Sequence, residues 1–441
     1  MRRIEKRKNF LIVGLTLLLL LSIPLTVFHA AGHIKDLTGK DISALTGEYG
    51  TITDRSGNVL FDGTIHDKEL FGSLISNGMN SNALFNRYRD ELAPKGFNYF
   101  AGSDSLRDTA GGRITTTLIS PESQKLIADA FAGRKGLCFS YNYKTGEIYT
   151  ALSFPSGLSE ADGDGAILNR CLNELYIPGS TMKIVTAACA IAQNPDLMET
   201  VYTCKGSYEL PDGKTVVCPY DHGNVDFKKA IGVSCNGYFA KIIGQLDLEK
   251  AFETLRGMGI YANCDAESGK VDRLNKVGSD TVVGSTAAFN DVWGLIGQGR
   301  SRVNAIDMAM IAGAIANGGE TATPYIIESI STEGKKKPDY KAKDAKDVRL
   351  LDEDVADVLC DVWTDAFYEN YPSYRDVTRA KTGTAQIGDG SVSNRLLIGT
   401  IDECDTAFMI IIEEYESYQH LSKTIPLQIA QVLKGVLPKS E

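Results

Sequence analysis

One serine and one lysine, three positions apart, form a pair that could do covalent chemistry. Ser180 and Lys183 lie in Ser-Thr-Met-Lys, the only Ser-x-x-Lys segment of the chain. On a helix these two positions share a face, so the lysine can accept the serine proton if its surroundings lower its pKa. Pro178-Gly179 predicts that the helix begins at Ser180, at the positive end of its dipole. The alternative is a helix-capping serine followed by a solvated lysine.

A serine, histidine and aspartate triad is poorly supported by this sequence. The chain has no Gly-x-Ser-x-Gly segment, which marks the serine of many such hydrolases. It has five histidines, which are His29, His33, His66, His222 and His420. A serine nucleophile here therefore needs a different base.

Two later segments could complete a site around Ser180. Ser234-Cys235-Asn236 lies at the junction of two helical stretches, where a hydroxyl and a carboxamide can orient a lysine and hold a substrate amide. Lys381-Thr382-Gly383-Thr384 opens a predicted strand. There a lysine and two hydroxyls can bind a carboxylate, glycine lets a substrate backbone approach, and a strand N–H can serve an oxyanion.

Each of these short motifs also occurs elsewhere in the chain. Ser56-Gly57-Asn58 repeats the Ser-x-Asn pattern and reads as a turn, and Lys144-Thr145-Gly146 repeats Lys-Thr-Gly and reads as the tip of a hairpin. Only the ordered set of Ser180, Ser234 and Lys381 completes the constellation.

That ordered set resembles the penicillin-binding proteins, the D,D-transpeptidases that cross-link peptidoglycan and share these three motifs with serine β-lactamases. The resemblance covers roughly residues 113–441, and residues 50–55 are similar to the start of the extracytoplasmic part of class B members, which are monofunctional. Further similar segments are Tyr176 to Lys183, His222-Gly223, Ile296 to Gly299, Ala316 to Gly319 and Lys381 to Gln386.

The resemblance implies a role for each matching residue. Ser180 would attack the penultimate D-Ala carbonyl of a stem peptide, with Lys183 as the base. Ser234 would relay the proton and Asn236 would hold the peptide amide. The donor carboxylate would bind at Lys381, Thr382, Gly383 and Thr384, and the backbone N–H groups of Ser180 and Thr384 would form the oxyanion hole.

The resemblance also implies what the protein binds. β-Lactams, which mimic acyl-D-Ala-D-Ala, would acylate Ser180, and an amine of a second stem peptide would otherwise take the acyl group. No cofactor and no metal is expected. Proteins of a cell-wall synthesis or division complex are candidate partners, whereas nucleic acid is not, because the body of the chain is strongly acidic.

The elements that must position these residues predict an α+β fold, with an antiparallel sheet flanked by helices. Strands before and after a helical middle region supply the sheet, and residues 331–350 are charge-dense and predict a solvated loop. The clearest predicted helices are Met182–Gln193, Phe227–Gln245, Leu248–Gly257, Asn304–Asn317 and Leu421–Leu437. The C-terminal predicted strands are Ala380–Ile387, Leu396–Asp402 and Thr406–Glu414.

Charge and hydropathy divide the 441 residues into four parts. The net charge is −10, but the first nine residues carry +4, which leaves −14 for the rest. The 18 uncharged residues Leu11–Phe28 would form a helix of roughly 27 Å, about a bilayer core thick. We therefore expect a cytoplasmic tail over 1–9, a transmembrane anchor over 10–31, a small extracytoplasmic module over 33–112 and a transpeptidase domain over 113–441. A cleaved signal peptide is the alternative for the apolar run.

The nine cysteines show no Cys-x-x-Cys pair of a zinc or redox site. Cys204 and Cys218 flank a predicted hairpin with a turn at Pro211-Asp212-Gly213. The sequence leaves open whether a disulfide joins them. Cys235 is expected to be a packed residue and not a nucleophile, because no histidine or second cysteine adjoins it in the sequence.

Two other functions compete with the transpeptidase hypothesis. A class A β-lactamase deacylates with a glutamate-held water in Glu-x-x-Leu-Asn, and Val271 stands at the glutamate position of the nearest segment here, which ends at Asn275. A β-lactam sensor would couple to further membrane helices or to a cytoplasmic domain. The second alternative is a cell-wall scaffold that keeps the fold without the activity.

Overall fold

The structure is a computed structural model that describes residues 49–75, 83–93, 111–163, 165–262, 286–287, 292–332, 335–342, 347–388, 390–416 and 424–439. The predicted tail over 1–9, the predicted anchor over 10–31 and the segment Val271–Asn275 lie outside these residues. Within the described part of the chain, no helix is both long and apolar enough to cross a bilayer.

A five-stranded antiparallel sheet forms the centre of the molecule. It confirms the predicted antiparallel sheet, in which segments far apart in sequence are neighbours. Apolar residues fill the inner strands, with the stretch 407–412 of the third strand fully buried. In spatial order, the strands are Arg379–Ile387, Val392–Ile401, Thr406–Glu416, Gly136–Asn142 and Ile148–Phe154.

Helices cover this central sheet, and the middle region of the chain is largely helical. Ala305–Ala316 packs against the sheet and against Glu353–Asn370, and Ile425–Val436 packs against the sheet and Pro121–Phe131. The predicted helical segment Phe227–Gln245 consists of two helices, the second of which ends at Ile243, and the predicted junction lies at Ser234, whose left-handed conformation ends the first helix. The remaining helices are Lys68–Ile75, Leu84–Arg87, Arg89–Leu92, Arg170–Asn173, Met182–Gln193, Phe227–Val233, Asn236–Ile243, Leu248–Gly257 and Val292–Leu295.

The longest described helix, Glu353–Asn370, was not predicted from the sequence. Its signal was present, because acidic residues open its first turn and Val355, Leu359, Trp363 and Phe367 recur every four residues as buried positions. This helix packs against Phe227–Val233 and the strand that contains Lys381. It therefore forms part of the wall behind the candidate site.

A second five-stranded sheet joins the two predicted extracytoplasmic parts. Thr51–Thr53 pairs in parallel with Arg113–Thr116, and the latter pairs antiparallel with Ile327–Ser331. The sheet therefore crosses the predicted boundary at residue 113. Val59–Phe61 and Tyr340–Lys341 are its edge strands, so the predicted 331–350 loop contributes short strands. The remaining strands are Tyr202–Cys204, Ser207–Glu209, Thr215–Val217, Gly223–Val225, Tyr261–Ala262, Thr286–Ala287, Glu320–Ala322 and Asp347–Arg349.

Candidate active site

The turn that carries Ser180 is pressed against the first strand of the central sheet. Gly179–Thr181 forms a single 3₁₀ turn before the helix Met182–Gln193, so the α-helix has the predicted range and Ser180 lies in the turn before it instead of at its first residue. Gly179 has φ +54°, and a Cβ on it would come within 2.7 Å of the Thr384 carbonyl oxygen. A side chain at position 179 would push the serine turn away from the sheet. The backbone thus fixes half-buried Ser180 beside Thr384.

Lys183 is fully buried and points into a ring of polar atoms. Its Nζ lies 3.0 Å from Ser180 Oγ and 3.1 Å from Ser234 Oγ. It also donates to the Ser234 carbonyl oxygen at 2.8 Å and to Asn236 Oδ1 at 2.5 Å. The interpretation of Lys183 as a solvated residue is therefore wrong.

The Ser234-Cys235-Asn236 turn lies between two helices, as predicted. Ser234 has φ +59°, which turns its carbonyl and hydroxyl together toward Lys183. Asn236 begins the next helix, where its Nδ2 donates to the Val217 carbonyl oxygen at 2.7 Å. With its amide nitrogen held in this way, Asn236 Oδ1 faces the Lys183 amine.

Lys381 closes the site from the edge strand Arg379–Ile387. Lys381 is 3% exposed, and its Nζ donates to Ser234 Oγ at 3.1 Å and to the Thr382 carbonyl oxygen at 2.9 Å. Ser234 Oγ therefore lies between two buried amines. The hydroxyl of half-buried Thr382 is 3.3 Å from the Tyr371 hydroxyl.

Burial shifts the pKa of both lysines downward, because a desolvated ammonium is costly. Burial lowers the pKa of Lys183 to about 7, although the nearby Cys218 and Cys235 oppose the shift. Burial, and then the charge of Lys183, lower the pKa of Lys381 well below its ordinary value. Lys183 can thus carry an unprotonated amine near neutral pH, which a general base requires.

Three residues that the sequence analysis gave no role support this edge of the site. Gln298 Nε2 donates to the Thr384 carbonyl oxygen at 3.2 Å, and Arg395 Nη1 donates to Thr384 Oγ1 at 2.5 Å. Gly297 has φ +94°, and a Cβ there would lie 1.7 Å from the Gly179 carbonyl oxygen. The segment Ile296 to Gly299 was a signal for Gly297 and Gln298, since it was among the matching segments, whereas nothing in the sequence pointed to Arg395.

The surroundings of Cys235 differ from the prediction. Its Sγ lies 3.8 Å from Cys218 Sγ, and Cys204 and His222 are part of the same cluster. Cys235 is buried, as predicted, but the absence of an adjoining histidine or second cysteine holds only along the sequence, because residues distant in sequence meet Cys235 in space. The predicted hairpin is present, as Ser207–Glu209 pairs with Thr215–Val217, but Cys204 and Cys218 are free thiols.

We call Ser56-Gly57-Asn58 and Lys144-Thr145-Gly146 the decoy motifs. They lie away from these residues and have the predicted local structures. Asp54 accepts hydrogen bonds from the backbone N–H groups of Ser56 and Asn58, which makes Ser56-Gly57-Asn58 a tight turn. Lys144-Thr145-Gly146 is the tip of the hairpin between two central strands. The structure thus brings together Ser180, Lys183, Ser234, Asn236 and Lys381 and leaves the decoys out.

A comparison with family models finds the penicillin binding protein transpeptidase domain over residues 136–430. Peptidoglycan D,D-transpeptidase PbpA of Mycolicibacterium smegmatis is 27% identical over 253 residues, which cover 51% of this chain and 50% of that protein. Stage V sporulation protein D of Bacillus subtilis is 32% identical over 279 residues, 58% of this chain and 40% of that protein. The matches thus span about half the length, or less, of these curated relatives.

Solved structures show the same fold. Penicillin-binding protein A of M. tuberculosis, as its ceftriaxone acyl-enzyme complex, superposes with a TM-score of 0.75 at 21% identity. The match covers 89% of this chain and 99% of that one. The D,D-transpeptidase domain of a peptidoglycan glycosyltransferase from Eggerthella lenta gives a TM-score of 0.69 at 21% identity, over 89% of this chain and 98% of that one.

Proposed function

Because the chain belongs to the penicillin-binding protein transpeptidase family, we propose that it is a serine-type peptidoglycan D,D-transpeptidase that β-lactams acylate at Ser180. The observation that carries the proposal is the 3.0 Å contact between Lys183 Nζ and Ser180 Oγ. The amine is fully buried and its pKa is lowered to about 7. A neutral amine in this position can take the serine proton as the nucleophile attacks.

The acylation step uses the contacts around Lys183. Ser180 Oγ forms a bond to the penultimate D-Ala carbonyl carbon, and its proton moves to Lys183. The C–N bond to the terminal D-Ala breaks, and the leaving amine receives a proton through Ser234 Oγ, which contacts both lysines. Because Asn236 is anchored to Val217, its side chain can orient the donor peptide.

The charge that develops on the carbonyl oxygen needs backbone donors at the edge strand. The turn of Ser180 contacts Thr384 through Gly179, so the N–H groups of residues 180 and 384 can serve one oxyanion. Lys381 and Thr382 lie next to this position and suit the terminal carboxylate of the donor. An amine of a second stem peptide then attacks the ester carbonyl carbon, and Lys183 passes the proton of that amine to Ser180 Oγ as the ester C–O bond breaks.

Names of relatives support the substrate class. Relatives named peptidoglycan D,D-transpeptidases include PbpA of M. smegmatis and MrdA of Acinetobacter baumannii, and the M. tuberculosis homologue was solved as acyl-enzymes with ceftriaxone, imipenem and penicillin G. The alternatives, a β-lactamase or β-lactam sensor and an inactive scaffold, differ from a transpeptidase in the fate of the acyl-enzyme.

The test is labelling of the full-length protein in detergent with a fluorescent penicillin. We expect stable labelling of the wild type and none of Ser180→Ala. Ser234→Ala should be labelled slowly. Ser56→Ala, in the Ser-x-Asn motif outside the site, is the matched control and should be labelled like the wild type. An unlabelled, folded wild type, or equal labelling of Ser180→Ala, would refute the proposal. Rapid release of hydrolysed penicillin would indicate a β-lactamase, and labelling without cross-linking in cells would indicate a scaffold.

We also propose that residues 10–31 anchor the protein in the cell membrane as a single span, with residues 1–9 in the cytoplasm and the catalytic domain outside. The basic start followed by an uncharged apolar run supports this orientation. Protease added to intact spheroplasts should digest the catalytic domain. Protection of that domain until the cells are lysed would contradict the orientation. Binding to a cell-wall synthesis or division complex stays a prediction.

A further inference from the structure

Three cysteines and one histidine converge beside the Ser-x-Asn turn. We call Cys204, Cys218, His222 and Cys235 the thiol cluster. Their potential ligand atoms all lie within 4.8 Å of one another. Cys218 Sγ is 3.8 Å from Cys235 Sγ, and Cys204 Sγ is 3.4 Å from His222 Nδ1. The three cysteines are buried and the histidine is half-buried.

These separations match the spacing of ligands around a tetrahedral zinc ion. With Zn–S of about 2.3 Å and Zn–N of about 2.0 Å, a regular tetrahedron sets two sulfurs about 3.8 Å apart and a sulfur and a nitrogen about 3.5 Å apart. The Cys218–Cys235 separation of 3.8 Å and the Cys204–His222 separation of 3.4 Å agree with these values. Three thiolates and an imidazole are also the ligands of a common class of structural zinc site.

We propose that Cys204, Cys218, His222 and Cys235 bind one Zn²⁺ in a closed, four-ligand structural site. Since the protein supplies all four ligands, no coordination position is left for a substrate or a water nucleophile. The ion is therefore structural, and it takes no part in the chemistry at Ser180. This site replaces the sequence-based expectation that the chain has no metal site.

Backbone groups around the thiol cluster suit metal-bound sulfurs. The N–H of Gly237 points at Cys218 Sγ at 3.3 Å, and the N–H of Tyr238 points at Cys235 Sγ at 3.4 Å. Such donors stabilise the negative charge of thiolate ligands and fix their orientation. Lys229 Nζ donates to the His222 carbonyl oxygen at 3.0 Å, which holds the backbone of the histidine in place.

The ion would join the segment between Cys204 and Cys218 to the catalytic turn. Cys204 ends the strand Tyr202–Cys204 and Cys218 follows the strand Thr215–Val217, and most residues of these short strands are at least partly exposed. Leu210 and Val216 pack this segment against the core, and metal binding would add folding free energy to those contacts. The fourth ligand, Cys235, stands between Ser234 and Asn236, which both contact Lys183. Loss of the ion should loosen that contact.

The metal content of the full-length protein tests the site directly. The protein is purified with a reducing agent, supplied with zinc and dialysed. It should then retain one zinc ion per chain, as measured by inductively coupled plasma mass spectrometry. Cys204→Ala and Cys218→Ala should retain at least tenfold less. Cys189→Ala is the matched control, because Cys189 is buried outside the thiol cluster and should leave the zinc content unchanged. A zinc-free wild type, or equal zinc in Cys218→Ala and Cys189→Ala, would overturn the proposal.

A measurement on the wild type alone covers the case in which a ligand variant fails to fold. Cobalt exchanged into the protein should give the intense visible bands of a tetrahedral Co²⁺ site and a near-ultraviolet thiolate charge-transfer band. Peptide mapping after alkylation should find all three cysteines as thiols. A weak octahedral cobalt spectrum, or a disulfide between Cys218 and Cys235, would refute the zinc site.

The effect of the ion on acylation rests on the proposed function and is measured separately. Removal of zinc with a chelator should slow penicillin labelling about tenfold, which is in the range found when a group that orients the residues of a site is lost. Added Zn²⁺, but not Mg²⁺, should restore the labelling rate. Unchanged labelling after zinc loss would remove the link to the catalytic turn. If the zinc-loaded wild type is never labelled, the proposed function fails while the metal content still decides the site.

Discussion

Two Lys-Thr-Gly tripeptides lie at opposite edges of the same sheet and have opposite surroundings. Lys381 is on the first strand in spatial order, and Lys144 is on the hairpin that joins the last two. The Lys144 side chain is 54% exposed and pairs with Asp405 at 2.8 Å. Lys381 is 3% exposed and contacts Ser234 Oγ. The tripeptide is the same, so the difference between the two sites lies in what encloses them.

Enclosure changes what a lysine can do. An exposed ammonium stays hydrated and its ion pair is screened by solvent. A buried ammonium loses that hydration, so its pKa falls and its interactions with the few remaining partners strengthen. At the edge that holds Lys381, the enclosing elements are the serine turn, the Ser-x-Asn turn and the helix Glu353–Asn370. At the other edge, no described element buries Lys144.

The largest effect should come from removing the buried amine next to the nucleophile. We expect Lys183→Met to slow acylation by a penicillin by about 10²–10⁴-fold, because general-base catalysis contributes that much. Stopped-flow fluorescence measures the rate. The matched control is Lys144→Met, which should acylate like wild type. A loss of less than about fivefold in a folded Lys183→Met protein would show that another group is the base.

The next effect compares the two tripeptides directly. Lys381→Ala removes a buried, charge-assisted partner of the substrate carboxylate, worth about 1.5–3 kcal/mol, so acylation should slow by about 10- to 150-fold. Lys144→Ala should leave the rate unchanged. Both acylation rates are measured with the same labelled penicillin, and their ratio gives the effect of the position of the lysine.

Equal rates in the two alanine variants would show that burial of the lysine makes no difference to its function. A circular dichroism spectrum and a melting curve for each variant show that both are folded. If Lys381→Ala is slow only for penicillins that keep their carboxylate, the role of Lys381 as the carboxylate partner is sharpened.

A smaller effect should appear in the pH dependence of the wild type. The pKa of Lys183 is lowered to about 7 by burial, and the unprotonated amine is the active form. Acylation should therefore rise as the pH increases through about 7, by about tenfold between pH 6 and pH 8, and then level off. Lys144→Ala should give the same curve, because an exposed lysine does not set it. A rate that is flat or falls over this interval would contradict the assignment of Lys183.

Local patterns in the sequence predicted the elements of the site well. The helix Met182–Gln193 follows from its run of small and apolar residues, and the break at Ser234 was expected at a helix junction. The missed helix Glu353–Asn370 had a local signal too, in its buried residues at every fourth position. These features depend on neighbours in sequence, which is the information a single sequence holds.

Contacts between distant segments could not be derived in this way. Lys183 looked as compatible with a solvated position as with a buried one, and its burial depends on Phe239 and on the strand 379–387. The thiol cluster combines Cys204, Cys218 and Cys235 at spacings that match no short metal motif. Gln298 reaches Thr384 across 86 residues. Tertiary packing decides all three, and no local propensity encodes it.

The smallest expected effect completes the comparison at the exposed edge. Lys144→Ala removes the exposed ammonium from its ion pair with Asp405, so the free energy of unfolding should fall by only about 0.2–1 kcal/mol. High salt screens such a pair, so the difference between the variant and the wild type should shrink in 1 M NaCl, where the Debye length is about 3 Å. Urea unfolding at low and high salt measures both values. A loss above about 2 kcal/mol, or one that salt does not change, would mean that the hairpin lysine is held as firmly as a buried one.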